Sequence, residues 1–243
     1  MTVRFGAVLI DWLGYATCRL EGETGVVVYM DPGRYGVLDD YDARDGDLVL
    51  ITHGDHYDPD GIRRVAHDDA IVVVHEAVDA STIDRVDDQP EDLPYQVERV
   101  VEDESFVLGP LDLFTTPMYN EPDGPHTRED GTPFHPPGAG CGYVVTIDGV
   151  SAFWPGDTDA LEYHEELAVD LLLPPIGGSF TMDRREAAAL AERMRPGLVL
   201  PVHYNTFEAL ETNEAAFVVD VAKRHVPVVL DDPGLSNGST RSI

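Results

Sequence analysis

Short, β-branched apolar runs, each closed by a Gly, Pro or Asp turn, follow one another through most of this chain. Such runs fit pleated, half-buried or buried strands, and turn residues between them break any continuous helix. Early runs cover residues 8–12, 17–20, 26–30, 48–51 and 71–74, and the N-terminal stretch itself reads as a first strand. Later runs cover 111–115, 142–147, 150–154, 170–173, 198–202 and 226–230. Between the second and third of these later runs, Ile147-Asp148-Gly149-Val150 is a two-residue Asp-Gly hairpin signal. Helical patterns are fewer. Asp183 caps a predicted helix over 183–194, with Glu186 placed for a capping box and Pro196-Gly197 as its stop. A second helix is predicted over 213–224, with Ala216, Phe217, Val219 and Val221 on its apolar side, and shorter helices are expected after Pro59 and His75. Strands first, then strands alternating with helices, predict an α/β fold of layered αββα type, with residues 1–243 forming one domain.

Charge narrows the function classes. Forty-six acidic residues face sixteen basic ones, a formal net charge of −30, and Lys223 is the only lysine. That balance reads as a solvated acidic surface adapted to high salt, as in halophilic archaea, because screening there suppresses self-repulsion. It counts against nucleic acid as substrate, since little cationic surface is left to neutralise phosphates. No apolar run approaches the roughly 18 residues of a membrane span, and the N-terminus lacks the features of an export signal. Cys18 and Cys141 are too few for a disulfide framework. A cytoplasmic protein acting on a small molecule is expected, with a homo-oligomer compatible with the sequence.

Three apolar runs end in a metal donor: residues 48–51 lead into His53, 150–154 into Asp157, and 198–202 into His203. Donors at converging strand ends can meet around one ion with little ordering cost. The first run opens into Thr52-His53-Gly54-Asp55-His56-Tyr57-Asp58, where imidazoles and carboxylates suit Zn, Mn, Fe or Ni. The same segment also reads as an acidic turn in which Asp58 caps a helix beginning near Pro59. The stretch 120–140, rich in Gly, Pro, Asp and His, reads as a loop at the edge of a pocket.

Taken together, these segments resemble the metallo-β-lactamase superfamily, whose pattern is His-x-His-x-Asp-His after a strand, then a later His, a Gly-Asp and a final His. The matching stretches are Asp11-Trp12-Leu13-Gly14-Tyr15-Ala16-Thr17, Asp31-Pro32, Tyr119-Asn120, Phe134-His135-Pro136, Gly156-Asp157-Thr158-Asp159, Pro175-Ile176-Gly177-Gly178, Thr181-Met182-Asp183 and Pro201-Val202-His203-Tyr204-Asn205. They are most similar to the small-hydrolase branch that includes the ascorbate-6-phosphate lactonases. The resemblance implies an αββα sandwich, a metal-activated water, and one or two divalent ions, zinc by family. It makes His135 and His203 ligands and Asp157 the bridge between two ions.

The first motif departs from that pattern, and three registers are open. Anchored on the strand, His53 is the first His, with Asp55, Tyr57 and Asp58 standing for the second His, the Asp and the third His. Anchored on His56-Tyr57-Asp58, the second His and the Asp are kept and Pro59 replaces the third His. Deletion of two residues instead makes Asp55-His56 the Asp-His pair. We favour the strand anchor because His53 follows the strand directly. The expected ligands are therefore His53, Asp55, His56, Asp58, His135, Asp157 and His203, with Asp58 or Asp55 as base. Carboxylates replacing imidazoles favour Mn or Fe over Zn. Tyr119, Asn120, Tyr204 and Asn205 are candidate oxyanion donors or braces for the histidines. His126 is a supporting or substrate-side candidate, and His67, His75, His164 and His225 are expected at the surface. The rival readings are a metal-binding protein that has lost catalysis and a nuclease of the same superfamily.

Overall fold

In a computed structural model, which describes residues 2–231, the chain forms two β-sheets packed face to face with helices outside them. The first sheet contains β1 (Val3–Phe5), β2 (Val8–Gly14), β3 (Thr17–Gly22), β4 (Val27–Met30), β5 (Gly46–Ile51), β6 (Ala66–His75) and β7 (Gln96–Val100), in that spatial order. The second runs β8 (Ser105–Leu108), β9 (Leu111–Pro117), β10 (Cys141–Ile147), β11 (Val150–Trp154), β12 (Leu171–Leu172) and β13 (Leu198–Val199) from edge to edge. In β2 burial alternates strictly, as it does when one sheet face meets a core. β4 is buried at every position, as a strand covered on both faces must be.

Among the described residues four α-helices complete the layers: α1 (Pro59–Val65), α2 (Glu162–Glu165), α3 (Arg184–Met194) and α4 (Glu214–Ala222). Ile62 and Val65 of α1 pack with Val49, Ile51, Val72 and Val74 on one face of the first sheet. Leu48, Leu50 and Val73 point the other way, into a larger core shared with Tyr143, Val145 and Trp154 of the second sheet. Leu190 and Ala191 of α3 and Phe217 and Val221 of α4 join that core. The expected αββα layering and single domain are what the structure contains.

Local chemistry explains most boundaries. Asp183 accepts from the Arg185 and Glu186 amides, Glu186 returns the capping box, and Arg195 closes α3 in the left-handed region. The hairpin at Asp148-Gly149 has φ of 48° and 79°, both positive, as its turn type requires.

Elsewhere the expectations need correcting. β7 and β8 are not among the predicted strands: both are edge strands, β7 exposing Gln96 and Glu98, and β8 only four residues long with Val107 exposed. The run at 226–230 contributes only a single bridge, Val199 to Val228, and β13 stops before Pro201; prolines lack the amide a ladder needs. After His75 there are two 3₁₀ turns, Ala80–Thr82 and Pro90–Asp92, rather than an α-helix. Val219 is 48% exposed rather than on the packed side of α4.

This topology brings the donors together. β5 and β11 each run parallel to a neighbour, and β13 to β12, so the carboxyl ends carrying His53, Asp157 and His203 lie at one end of the sandwich. A bridge between His53 and Gly140 and a hydrogen bond from the Tyr143 hydroxyl to the Ile51 carbonyl tie the two sheets together there. Gly140 permits this approach: a Cβ at that position would lie 2.6 Å from His53 Cβ and from the Thr52 carbonyl oxygen.

Candidate metal centre

Four imidazoles converge on one carboxylate. Asp157 Oδ2 lies 3.3 Å from His203 Nε2, 3.5 Å from His56 Nε2, and 3.8 Å from both His53 Nε2 and His135 Nε2. All five side chains are buried. His53 Nε2, His203 Nε2 and Asp157 Oδ1 are buried without a hydrogen-bond partner within the described residues. Buried polar atoms are rarely left so, and a cluster of them facing one point fits a cation. Asp55 adds a carboxylate 3.7 Å from His135 Nε2, and His53, Asp55 and His135 form one donor set as His53, His56 and Asp157 form another.

Three of the four histidines are aimed by what the other nitrogen touches, whereas His203 Nδ1 is buried with no hydrogen-bond partner among the described residues. His53 Nδ1 lies 2.9 Å from the Thr52 hydroxyl. His135 Nδ1 faces the Phe180 carbonyl at 3.1 Å and Asn120 Oδ1 at 3.2 Å, and Asn120 Oδ1 also accepts the His135 amide. His203 has φ of 54° and donates its amide to the Tyr15 carbonyl; a non-glycine residue held in the left-handed region is a strain that functional sites often carry. Behind His56 stands Asp31, 2.8 Å from its Nδ1, which also accepts from the Thr52 amide, the Thr52 hydroxyl and the Trp154 indole. A carboxylate on the far nitrogen orients a metal-binding imidazole and raises its basicity.

The electrostatics follow from burial and these neighbours. Burial alone would raise the Asp31 carboxyl, but His56, His53 and the Thr52 amide outweigh it and hold it below the usual range. Burial likewise opposes charge on Asp157, and His203 and His56 overcome it to keep that carboxyl well down. On His56 burial is outweighed by Asp157 and Asp31, which push it up to about 10, whereas burial and the adjacent His56 push His53 down to about 3. His135, then His53, hold Asp55 ionised. Without a cation the site keeps its proton on His56, and a bound metal must displace it.

The first motif is built as in the register that deletes two residues. His53, Asp55 and His56 face the cluster, while Tyr57 and Asp58 do not. Asp58, expected as ligand and base, is corrected: its Oδ1 accepts from the Asp60 and Gly61 amides as the cap of α1, and its Oδ2 accepts the Arg34 amide. The alternative helix-cap reading of that aspartate is the one its contacts fit. Tyr57 donates to the Asp88 carbonyl within the other core. The shortened turn is clamped by Arg85, whose guanidinium donates to the carbonyls of Gly54, Asp55 and Tyr57.

Other expectations divide. Asn120 is a brace for His135, and Asn205 is spent on a turn with Thr212 and Glu214. Tyr204 stacks on Trp12 with ring centroids 4.4 Å apart, and the Tyr119 amide is held by Thr158. His126 meets Asp159, which in turn holds Asn120, so it supports His135 at two removes. His75 and His164 are buried, not at the surface, whereas His67 and His225 are exposed. Tyr15, Asp31, Arg34 and Arg85 were given no role by sequence. Tyr15 and Asp31 lie in stretches that match the superfamily, which was the one signal available.

The cluster floors a cleft of about 290 Å³, whose walls include Tyr15, Arg34, Tyr35, Arg128, Phe134 and Phe207, with Asp55, His135 and Asp157 at its base. Phe134 and Arg128 come from the loop 120–140, which takes the expected place at the pocket edge. Tyr15 Oη lies 3.1 Å from His56 Nε2, and burial, then Asp157, keep its hydroxyl well above the usual phenol range and hence protonated.

Comparison with known proteins agrees with this geometry. Residues 9–203 match the family described as Beta-lactamase superfamily domain. A protein of Thermococcus kodakarensis called a UPF0173 metal-dependent hydrolase is 30% identical over 245 residues, covering 93% of this chain and 97% of that one. A protein of the same name from Methanosphaerula palustris is 31% identical over 86% of this chain and 88% of its own length. Among solved structures, a metallo hydrolase from the hyperthermophilic archaeon Ignicoccus hospitalis superposes with a TM-score of 0.66 at 21% identity, over 93% of this chain and 95% of that one. An isothiocyanate hydrolase from Delia radicum gut bacteria does so with 0.64 at 14% identity, over 92% and 96%. These two likenesses concern the fold alone. Among the described residues no helix is long and apolar enough to cross a membrane.

Proposed function

The chain belongs to the UPF0173 metal-dependent hydrolase family of the β-lactamase superfamily, and from that premise we propose that it hydrolyses a small-molecule lactone, ester or phosphoester. One or two divalent ions would be held by His53, Asp55, His56, His135, Asp157 and His203. The observation that carries the reading is the set of four imidazole Nε2 atoms around one buried Asp157 oxygen, with three of the donor atoms otherwise unpartnered. The donors fall into two overlapping sets that share His53, so the site would suit one ion or a pair. Imidazole-rich sites suit zinc, and the carboxylate in place of one histidine leaves manganese or iron open.

A bound divalent ion supplies a water of lowered pKa and polarises the carbonyl or phosphoryl oxygen under attack. Around it, this chain's own groups have separable tasks. Asp55, ionised and open to the cleft, accepts a hydrogen bond from the attacking water and orients it. Tyr15, kept as an O–H, donates to the oxygen on which charge develops. The aromatic walls shield Tyr15, which is buried, while Asp55 stays open to solvent.

The cleft lies at the lower end of the size range for small-molecule sites, which together with the acidic balance disfavours a nuclease. The resemblance to the branch containing ascorbate-6-phosphate lactonases makes lactones the first substrates to try. The acidic surface suits a halophilic cytoplasm. Protein reconstituted with Zn²⁺ or Mn²⁺ in high salt, assayed on panels of lactones, esters and phosphodiesters, tests the proposal. Turnover by the parent and its loss in His203→Ala support it. Full metal occupancy without turnover on any panel would support a metal-binding protein instead.

A further inference from the structure

Two arginines in the cleft wall have no acidic partner, in a chain with nearly three acidic residues for each basic one. Arg19, Arg63, Arg99 and Arg184 all form ion pairs. Among the described residues neither Arg34 nor Arg128 does. Arg34 lies over the Tyr35 ring at 4.7 Å and gives one hydrogen bond to the Tyr35 hydroxyl, while its Nε is buried with no partner. Arg128 lies over the Phe134 ring at 5.2 Å, steadied by the Pro133 and Phe134 carbonyls beside His135. Tyr35 contacts the Arg34 guanidinium, and Phe134 with two carbonyls contacts that of Arg128, and among the described residues neither has an ion-pair partner.

Arg34 is also placed at a cost. Residues 33–36 all have positive φ, from 50° to 112°. Asp58 holds that turn by accepting the Arg34 amide at 2.7 Å, and a Cβ on Gly33 would collide with the same carboxylate at 2.6 Å. Such strain persists where the surroundings over-determine it, and here it sets one guanidinium against the cleft.

We propose that Arg34 and Arg128 form an anion-recognition pair, so that the substrate carries a carboxylate or phosphate in addition to the bond that is cleaved. This rests on the hydrolase reading for the word substrate, but the site itself is a binding site and is tested as one. Guanidiniums recognise both anions through paired charge-assisted hydrogen bonds. A local pair of cations also offsets the repulsion that an acidic protein exerts on an approaching anion.

Calorimetric titration of the metal-loaded protein with phenyl phosphate, benzoate and benzyl alcohol tests the pair. The parent should bind at least one anion more tightly than the alcohol, and which anion wins distinguishes phosphate from carboxylate. Arg34→Met and Arg128→Met should each weaken that anion about tenfold or more, with benzyl alcohol affinity and metal content unchanged. Arg34→Lys and Arg128→Lys, which keep the charge in case a methionine variant misfolds, should fall between. A parent that binds neither anion better than the alcohol, or an arginine pair whose replacement leaves anion affinity unchanged, would overturn the proposal. Because binding is read without turnover, a protein that binds through the arginines yet hydrolyses nothing loses the hydrolase reading and keeps this site.

Discussion

The carboxylate of Asp31 lies 2.8 Å from Nδ1 of His56 and accepts three further hydrogen bonds, two from Thr52 and one from Trp154. It therefore fixes which nitrogen of His56 is presented to the cluster. Asp31→Asn keeps the size but loses the charge and forces one donor to face donors. Metal affinity, measured by chelator competition, should fall about 10- to 100-fold. An unchanged affinity would mean that His56 is not a ligand.

Asp58 and Asp55 should behave oppositely, although three positions apart in one turn. Asp58→Ala removes the cap of α1 and the anchor of the Arg34 amide, so it should destabilise the fold by about 0.5–2 kcal/mol and leave metal content alone. Asp55→Ala should bind less metal at near-parental stability. Denaturant unfolding beside elemental analysis separates them, and metal loss in the Asp58 variant would restore the strand-anchored register.

That pair shows where the sequence was readable. The helix capped by Asp183 and the Asp-Gly hairpin were legible because their signals are local: a cap and its partner three residues on, or a turn needing two positive φ values. The strand ends carrying His53, Asp157 and His203 were legible because apolar runs stop at them. The turn after His53 was not, since Asp55 and Asp58 are equivalent donors on paper and only the start of α1 at Pro59 decides which one caps. Asp31 and Arg85 act across distances of more than twenty residues, which no local spacing encodes. His75 and His164 were misplaced because a bond to nearby backbone lets an imidazole be buried: His164 Nε2 donates to the Pro117 carbonyl and His75 Nδ1 accepts the Ala77 amide.

His164 gives a pH signature. Burial pushes it down to about 4 from 6.5, so between those values the unfolded chain binds a proton that the folded chain excludes. Its contribution to stability is then complete above about 6.5 and is lost as pH falls towards 4. Unfolding free energies of the parent should drop more steeply over that window than those of His164→Gln, by about 1–3 kcal/mol in total. Parallel curves would remove His164 as the cause.

Tyr15→Phe deletes the hydroxyl that faces the cleft and keeps the ring packed near His203. If it serves the developing negative charge, kcat should fall about 10- to 100-fold with KM little changed, and metal content should hold. A rise in KM alone would make Tyr15 a binding residue.

His53, His56, His135 and His203, with Asp157, would hold the metal centre. Anomalous diffraction from crystals of protein loaded with Zn²⁺ or Mn²⁺ tests this assignment directly. One or two anomalous peaks are expected at about 2.0–2.2 Å from those Nε2 atoms and the Asp157 carboxylate. Absence of any peak there in fully loaded protein, or a peak held instead at Asp58, would contradict it.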